Sequence, residues 1–399
     1  MNILFLNQYY PPDTAATAYV AQMYASALGE KHKVTVLAGR PSYSPVKRYP
    51  WRLSHKSRDG KLLVERVGST SYERNRMKGR VLNYLSYLTL MTVRALTIKT
   101  DALLCMTDPP LTGIAGAIVA TLRRCPFVYC IQDLHPDMAL ASNLIYENTI
   151  VWIWEKLHRW ALRRADMVIV LGADMRQHII SKGIEQDKIK VVRLGASPSS
   201  NVVSCNNPTV SELRCGFPFT VIHAGNLGFY GAWETLIEVA RLLEDRVGFI
   251  FIGDGAARAR IEQMASSQNN VRFLPFRPRE EIPHVMAAGD LHVVTIKRGL
   301  EGLVVPSKLY TILAAGRPVL AVAPESSDVA QIVLREGCGV VADPDDPKEV
   351  CRVVESLITH PEGIQKLSER AFRAARKYRR TDELRNFVRL VESVLNKDL

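Results

Sequence analysis

From Ile3 onward, short apolar runs alternate with stretches of helical periodicity, and they do so twice along one chain. Ile3–Leu6, Lys33–Leu37, Ala102–Met106, Phe127–Ile131, Met167–Leu171 and Ile189–Arg193 read as strands. Helical patterns lie between them at Ala18–Leu28, Ile114–Arg123 and Thr149–Arg164. Runs of this kind, apolar on both faces, predict parallel sheets covered by helices on each side. A polar, Pro- and Asn-bearing stretch at 196–218, including Pro198, Ser199 and Ser200, breaks the rhythm and predicts a linker. The alternation then restarts. Strands are expected at Phe219–His223, Gly248–Ile252, Val271–Phe273, Leu291–Thr295 and Pro318–Val322, and helices at Trp233–Leu243, Ala257–Ser266, Ser307–Ala315 and Ser327–Arg335. The fold class is α/β, with two Rossmann-like domains. The domain boundaries fall at 1–198 and 199–380, and a terminal apolar helix over 381–399 is expected to cross back to the first domain.

The 399 residues are ample for two such cores. The charge is uneven: residues 1–200 carry 27 Lys and Arg against 15 Asp and Glu, whereas 201–399 carry 25 of each. All the excess of +12 therefore sits in the first half, which predicts contact there with an anionic surface, lipid before nucleic acid. Arg74, Arg76, Lys78 and Arg80, followed by Tyr84 and Tyr87, form the expected lipid-facing stretch. No nucleic-acid-reading module is recognisable. The seven cysteines, an odd number without zinc spacing, read as buried thiols in a reducing, cytoplasmic setting, with the inner face of the cell membrane as the place of any membrane contact. The segment Val81–Ile98 is broken by Asn83, Ser86, Thr89 and Thr92 and reads as a buried or surface-lying helix. The opening strand is expected to be structural rather than a signal peptide.

The stretch Leu300–Leu320, LEGLVVPSKLYTILAAGRPVL, carries the most chemistry. Ser307 is placed as N-cap, Lys308 opens a helix, and Gly316 ends it. Free amides at that helix start, beside the Lys308 charge, would suit a diphosphate. Gly253-x-Gly255 and Gly225-x-x-Gly228 lack the three spaced glycines of a dinucleotide fingerprint, since position 258 is Arg258. Asp133 and His135 follow a strand end, where ligands gather in open α/β sheets. Asp343-Pro344-Asp345-Asp346 reads as a loop and helix cap, and no metal site is expected.

The stretch Gly302-Leu303-Val304-Val305-Pro306-Ser307-Lys308-Leu309-Tyr310 resembles the donor-site signature of retaining GT-B glycosyltransferases, family 4 type, in the branch making bacterial surface polysaccharide and O-antigen. Similar matches run along nearly the whole chain: Asn7–Leu28, Gln132–Asp137, His223–Gly228, Phe251–Gly255 and Asn270–Arg277. The resemblance implies two domains facing a cleft and a hexosyl or N-acetylhexosaminyl transfer from a nucleotide diphosphate sugar, a UDP-sugar favoured, without a metal. The acceptor implied is a lipid-linked saccharide, and the anomeric configuration is retained. It implies donor contact at Gly225, Asn226, Gly228, Gly253, Gly255, Arg277, Gly302, Leu303, Val304, Ser307, Lys308 and Thr311, and catalytic roles for Asp133, His135, Glu301 and Lys308. The chain departs from the family at Thr311, where a ribose-binding glutamate is usual, at Asn226 and Tyr230, where cations are usual, and at Ala15-Ala16 in place of Gly-Gly. Those departures leave open an epimerase or hydrolase of nucleotide sugars, or a non-catalytic scaffold binding anionic lipid.

Overall fold

The computed structural model describes residues 1–42, 52–72, 77–197, 203–204 and 206–396; Arg74, Arg76, Pro198, Ser199, Ser200 and Cys205 lie outside them. Two compact units emerge. One comprises Met1–Val192 with Glu383–Leu399, the other Arg193–Asp382. The division falls ahead of the 198/199 boundary expected from composition, for a physical reason. Arg193 is tied to Asp328 at 2.7 Å, and Ala196 forms a bridge with Arg379, so this stretch is held by the second unit.

In the first unit, β1 (Asn2–Leu6), β2 (Lys33–Ala38), β3 (Ser54–Asp59), β4 (Leu62–Val67), β5 (Ala102–Cys105), β6 (Phe127–Cys130), β7 (Met167–Val170) and β8 (Ile189–Val191) form one sheet in the order β3-β4-β2-β1-β5-β6-β7-β8. All neighbours pair in parallel except the β3–β4 hairpin. The strands β5, β6 and β7 are buried along their whole length, which is why they read as unbroken apolar runs. In the second unit, β9 (Thr220–Ala224), β10 (Gly248–Ile252), β11 (Val271–Leu274), β12 (Leu291–Thr295), β13 (Val319–Val322) and β14 (Gly339–Ala342) follow the order β11-β10-β9-β12-β13-β14, all in parallel. Both sheets reverse their strand order once, between β1 and β5 and between β9 and β12. Crevices beyond the carboxyl ends of such strands are where open α/β sheets take ligands.

Several expected elements differ. The stretch 196–218 is not all linker: Pro208–Leu213 is a short helix, its N-cap Asn207 accepting from the Thr209 amide at 2.9 Å. The β3–β4 hairpin was not expected because β3, SHKSRD, is a largely exposed edge strand with no apolar alternation, and the Asp59-Gly60 turn at its tip was its one local signal. All of the Val81–Ile98 stretch but Ile98 lies in a helix, Met77–Thr97, that buries Asn83, Tyr87, Met91 and Ala95 at helical spacing. Among the described residues no helix is long and apolar enough to cross a membrane.

The last helix, Arg380–Leu395, docks on the first unit. Phe387 stacks on Tyr24 with ring centroids 4.1 Å apart, and Glu392 pairs with Lys31 and His32. The described cysteines are all free thiols; Cys105, Cys125, Cys130 and Cys338 are buried.

Candidate functional site

In the second unit, the turns after β9 and β10 interlock beyond the strand ends. The Gly225 amide donates to Ile252 O at 2.8 Å, the Leu227 amide to Asp254 O, and the Ala257 amide to Leu227 O. Gly253 sits at φ 139°, and a Cβ there would lie 2.0 Å from the Gly225 carbonyl oxygen, so only glycine permits this approach. Gly255 is held against Asn226 and Leu227 in the same way. Arg258, standing where a dinucleotide fingerprint would have glycine, donates to Gly253 O at 2.6 Å and pairs with Glu262. Gly228 is buried and its carbonyl accepts from the Trp233 indole at 2.6 Å, while the Asn226 side chain is exposed.

Lys308 reaches this turn from the opposite side of the strand-order reversal. Its amine donates to Nε2 of His223, a buried residue of β9, and lies 3.5 Å from where a Gly225 Cβ would be. Burial holds His223 neutral, with the Lys308 charge adding to the effect. Nε2 is then the acceptor and Nδ1 carries the proton. Nδ1 is buried and has no hydrogen-bond partner. The ring is wedged against Trp233, at 4.8 Å, and Phe251. Burial also pushes the Lys308 amine down to about 7. An arriving dianion would reverse that shift, since an opposite charge nearby favours the ammonium form.

The helix behind Lys308 differs from expectation. It spans Lys308–Ala314, and Ser307 has helical angles (φ −65°, ψ −18°) with no side-chain bond to the helix, so it does not cap. The cause is local. The Leu309 and Tyr310 amides already bond to Pro306 O and Ser307 O, which winds the turn tightly and removes amides that were expected to be free. With only two turns of helix, the charge at this point is chiefly that of Lys308 itself. Leu303 and Val304 bury their side chains in the core, leaving their backbone as the part able to meet a ligand. Gly302, at φ 74°, makes the bend before them. Glu301 accepts from the Gly299 amide at 2.7 Å and is occupied within its own loop. Thr311 is half-buried one turn into the helix. Arg277 pairs with Glu281 at 3.4 Å while its Nε is buried without a partner. Asp343 and Asp345 both pair with Arg298, and Asp346 caps the following helix through the Lys348 and Glu349 amides. Among the described residues no three metal-ligating side chains converge.

The first unit has its own strand-end cluster. The loops after β5 and β6 are tied through Thr107, whose Oγ1 accepts from the Gln132 and Asp133 amides at 3.2 and 3.4 Å. Burial, reinforced by the Asp108 carboxylate, pushes the Asp133 carboxyl up to about 7. His135 stacks on Trp154 at 6.0 Å and 13°. Burial brings its imidazole down to about 4, so it is neutral near pH 7, and its Nδ1 is buried without a partner. Two residues on, Asp137 accepts from Lys182 at 2.7 Å and faces His178 at 3.2 Å; Lys182 in turn pairs with Glu155. Those partners hold the Asp137 carboxyl well below the usual range despite its burial.

Trp154, Lys182 and Glu155 were not singled out from the sequence, and His223 entered only as the first residue of the His223–Gly228 stretch, with no role of its own. Each is a lone residue in a helix, a strand or, for Lys182, the turn that ends a helix, and its partner lies well along the chain: His223 and Lys308 are 85 residues apart. Only the strand-end position of His223, ahead of Gly225, could have marked it.

Residues 14–195 match the family described as glycosyl transferase 4-like domain, and residues 218–360 that described as glycosyl transferases group 1. WcaI of Escherichia coli (strain K12), described as a colanic acid biosynthesis glycosyl transferase, is 24% identical over 389 residues, covering 90% of this chain and 93% of that one. WbjE of Pseudomonas aeruginosa, described as a glycosyltransferase, is 25% identical over 298 residues, with 71% and 73% covered. Among solved structures, Anabaena HepE with UDP and glucose superimposes with a TM-score of 0.70 at 18% identity over 98% of this chain and 100% of that one. WaaG, a glycosyltransferase of lipopolysaccharide biosynthesis, gives 0.66 at 15% over the full length of both. At such identity these structures establish the fold, two Rossmann-like domains of GT-B type.

Proposed function

We infer, for a chain that belongs to the group 1 glycosyltransferases of GT-B type and acts in polysaccharide biosynthesis, that it moves a hexosyl or N-acetylhexosaminyl unit from a UDP-sugar to a lipid-linked saccharide with retention. The observation that carries the donor half is Lys308: a half-buried amine, set against the neutral His223 and the Gly225 turn, at the strand-order reversal of the second sheet. In a site of low water content a fixed cation favours the charge that grows on a departing diphosphate. The Gly225, Gly253 and Gly255 turns, with Gly228, Asn226 and Arg277, would offer backbone and polar contact to the nucleotide. The bend Gly302–Val304, with Ser307 and Thr311, would line the sugar and phosphate side. In the transfer, the C1–O bond to the diphosphate breaks, the acceptor oxygen bonds to C1, and its proton passes to a diphosphate oxygen. No metal is required in this reading. Asp133 and His135 are assigned to the acceptor side, where a neutral imidazole and a carboxyl near 7 can exchange hydrogen bonds with a hydroxyl. Glu301 is assigned to shaping the loop that presents the sugar.

The HepE structures solved with UDP, and the polysaccharide setting of WcaI, support the donor base and the acceptor class. A thermal-shift panel of UDP-, GDP- and dTDP-sugars tests the donor. A UDP-sugar at about 100 times its Kd should stabilise the protein by roughly 2.7 kcal/mol, and the others by less. Lys308→Ala should lose that stabilisation and cut turnover at least a hundredfold. Full turnover in this variant would remove the donor site from where we place it.

A further inference from the structure

Lys308 is held by a partner that carries no charge. Its amine donates to Nε2 of His223, and among the described residues it pairs with no carboxylate. The cations that follow the β10 turn are placed otherwise: Arg258 pairs with Glu262 and Arg260 with Glu234. A carboxylate fixes a cation and also neutralises it. A neutral imidazole, accepting through its one bare ring nitrogen, only fixes it. Two of the three ammonium protons and the whole charge then stay available to a ligand.

His223 is itself immobilised. It stands on β9 beside Phe251 of β10 in the sheet register, and the Phe251 ring meets it edge-on at 6.3 Å. Trp233 packs on it at 4.8 Å, and the Trp233 indole is anchored to Gly228 O at 2.6 Å. On the adjacent strand β12, His292 faces Met286 O at 3.0 Å, and burial brings its imidazole down to about 4, so it adds no charge. One chain of contacts therefore joins the Gly228 carbonyl, Trp233, His223 and Lys308, and it ends beside Gly225. Lysine has a flexible stem, and these contacts select one placement of its amine before any ligand arrives.

The arrangement leaves one group unsatisfied. The Nδ1 of His223 is buried without a partner. A buried donor left unpaired destabilises a fold, and an apolar side chain at 223 would avoid that loss. What such a side chain could not supply is the acceptor for Lys308. We propose that His223 is a positioning residue for the diphosphate of the donor: it sets the Lys308 amine beside the Gly225 turn without neutralising it. The proposal rests on the donor site inferred above.

Binding of UDP and of uridine, followed by NMR titration, tests it. His223→Phe keeps an aromatic ring between Trp233 and Phe251 but cannot accept a hydrogen bond. It should weaken UDP about tenfold, the scale of one charged hydrogen bond. Uridine has no phosphate, so its affinity should not change. His223→Gln carries an amide oxygen as far from Cβ as Nε2 is, and it should restore most of the UDP affinity. In a Lys308→Ala background His223→Phe should have no further effect on UDP, because no amine remains to be positioned. If His223→Phe does not fold, His223→Leu, which also lacks an acceptor, takes its place. A residue that only packs the turns would weaken UDP and uridine together, with or without Lys308, and that result overturns the proposal. So does full UDP affinity in His223→Phe when Lys308→Ala has lost it, and there the donor reading survives. If Lys308→Ala binds UDP as wild type does, or wild type does not bind it, the donor reading fails and the proposal with it.

Discussion

Asp133 and Lys308 meet the same difficulty with opposite sign: each can be charged, and each is held where water is scarce. Desolvation disfavours the charged form, so the carboxyl moves up and the amine moves down, both to about 7. For Asp133 this has a defined effect on stability. An unfolded aspartate titrates near about 4. Between there and about 7 the folded chain holds the proton and the unfolded chain does not. Stability from this group is therefore present at low pH and is lost as pH rises through that window. Asp133→Asn should remove that loss, so its urea midpoint relative to wild type should rise between pH 4.5 and 7.5. An unchanged difference across those pH values would show that Asp133 is not desolvated. At this scale the sequence exposed residues standing at strand ends and inside a recognisable motif, such as Asp133, His135 and Lys308. It did not expose that Ser307 fails to cap, because the Pro306–Ser307 turn uses the amides in a way that side-chain preference does not encode.

At the scale of elements, periodicity worked where both faces or one clean face are buried. Thr149–Arg164 is predicted and observed with the same ends, since Asn148 caps it and four buried residues set its phase. It failed at the β3–β4 hairpin, whose outer strand is polar and exposed, and at Pro208–Leu213, hidden among turn-forming residues. The last helix was legible from its apolar spacing, but its docking place was set by shape. Phe387 is fully buried against Tyr24. Truncating a buried phenylalanine to alanine costs about 3–5 kcal/mol. Phe387→Ala should therefore lower stability by that order in chemical denaturation; a cost under about 1 kcal/mol would mean that the ring is not part of the core.

Across the whole molecule, the chain leaves its first unit, completes a second and returns. A chain ending at Asp382 lacks the segment that completes the first unit while keeping every residue of the second. It should lose stability in the first unit yet retain the donor-induced thermal shift of the second. Loss of the shift as well would show that the second unit does not hold the donor by itself.

Two α/β units and their parallel strands followed from the amino-acid order alone. Burial pattern and turn chemistry act over a few residues, so they leave a local record. What only the tertiary structure decided is which groups meet: Lys308 with His223, Trp154 with His135, and Arg193 with Asp328. Those contacts join residues far apart in the chain through the packing of whole strands and helices. No spacing rule reaches across such distances, and the protonation states that matter here arise from the burial that packing creates.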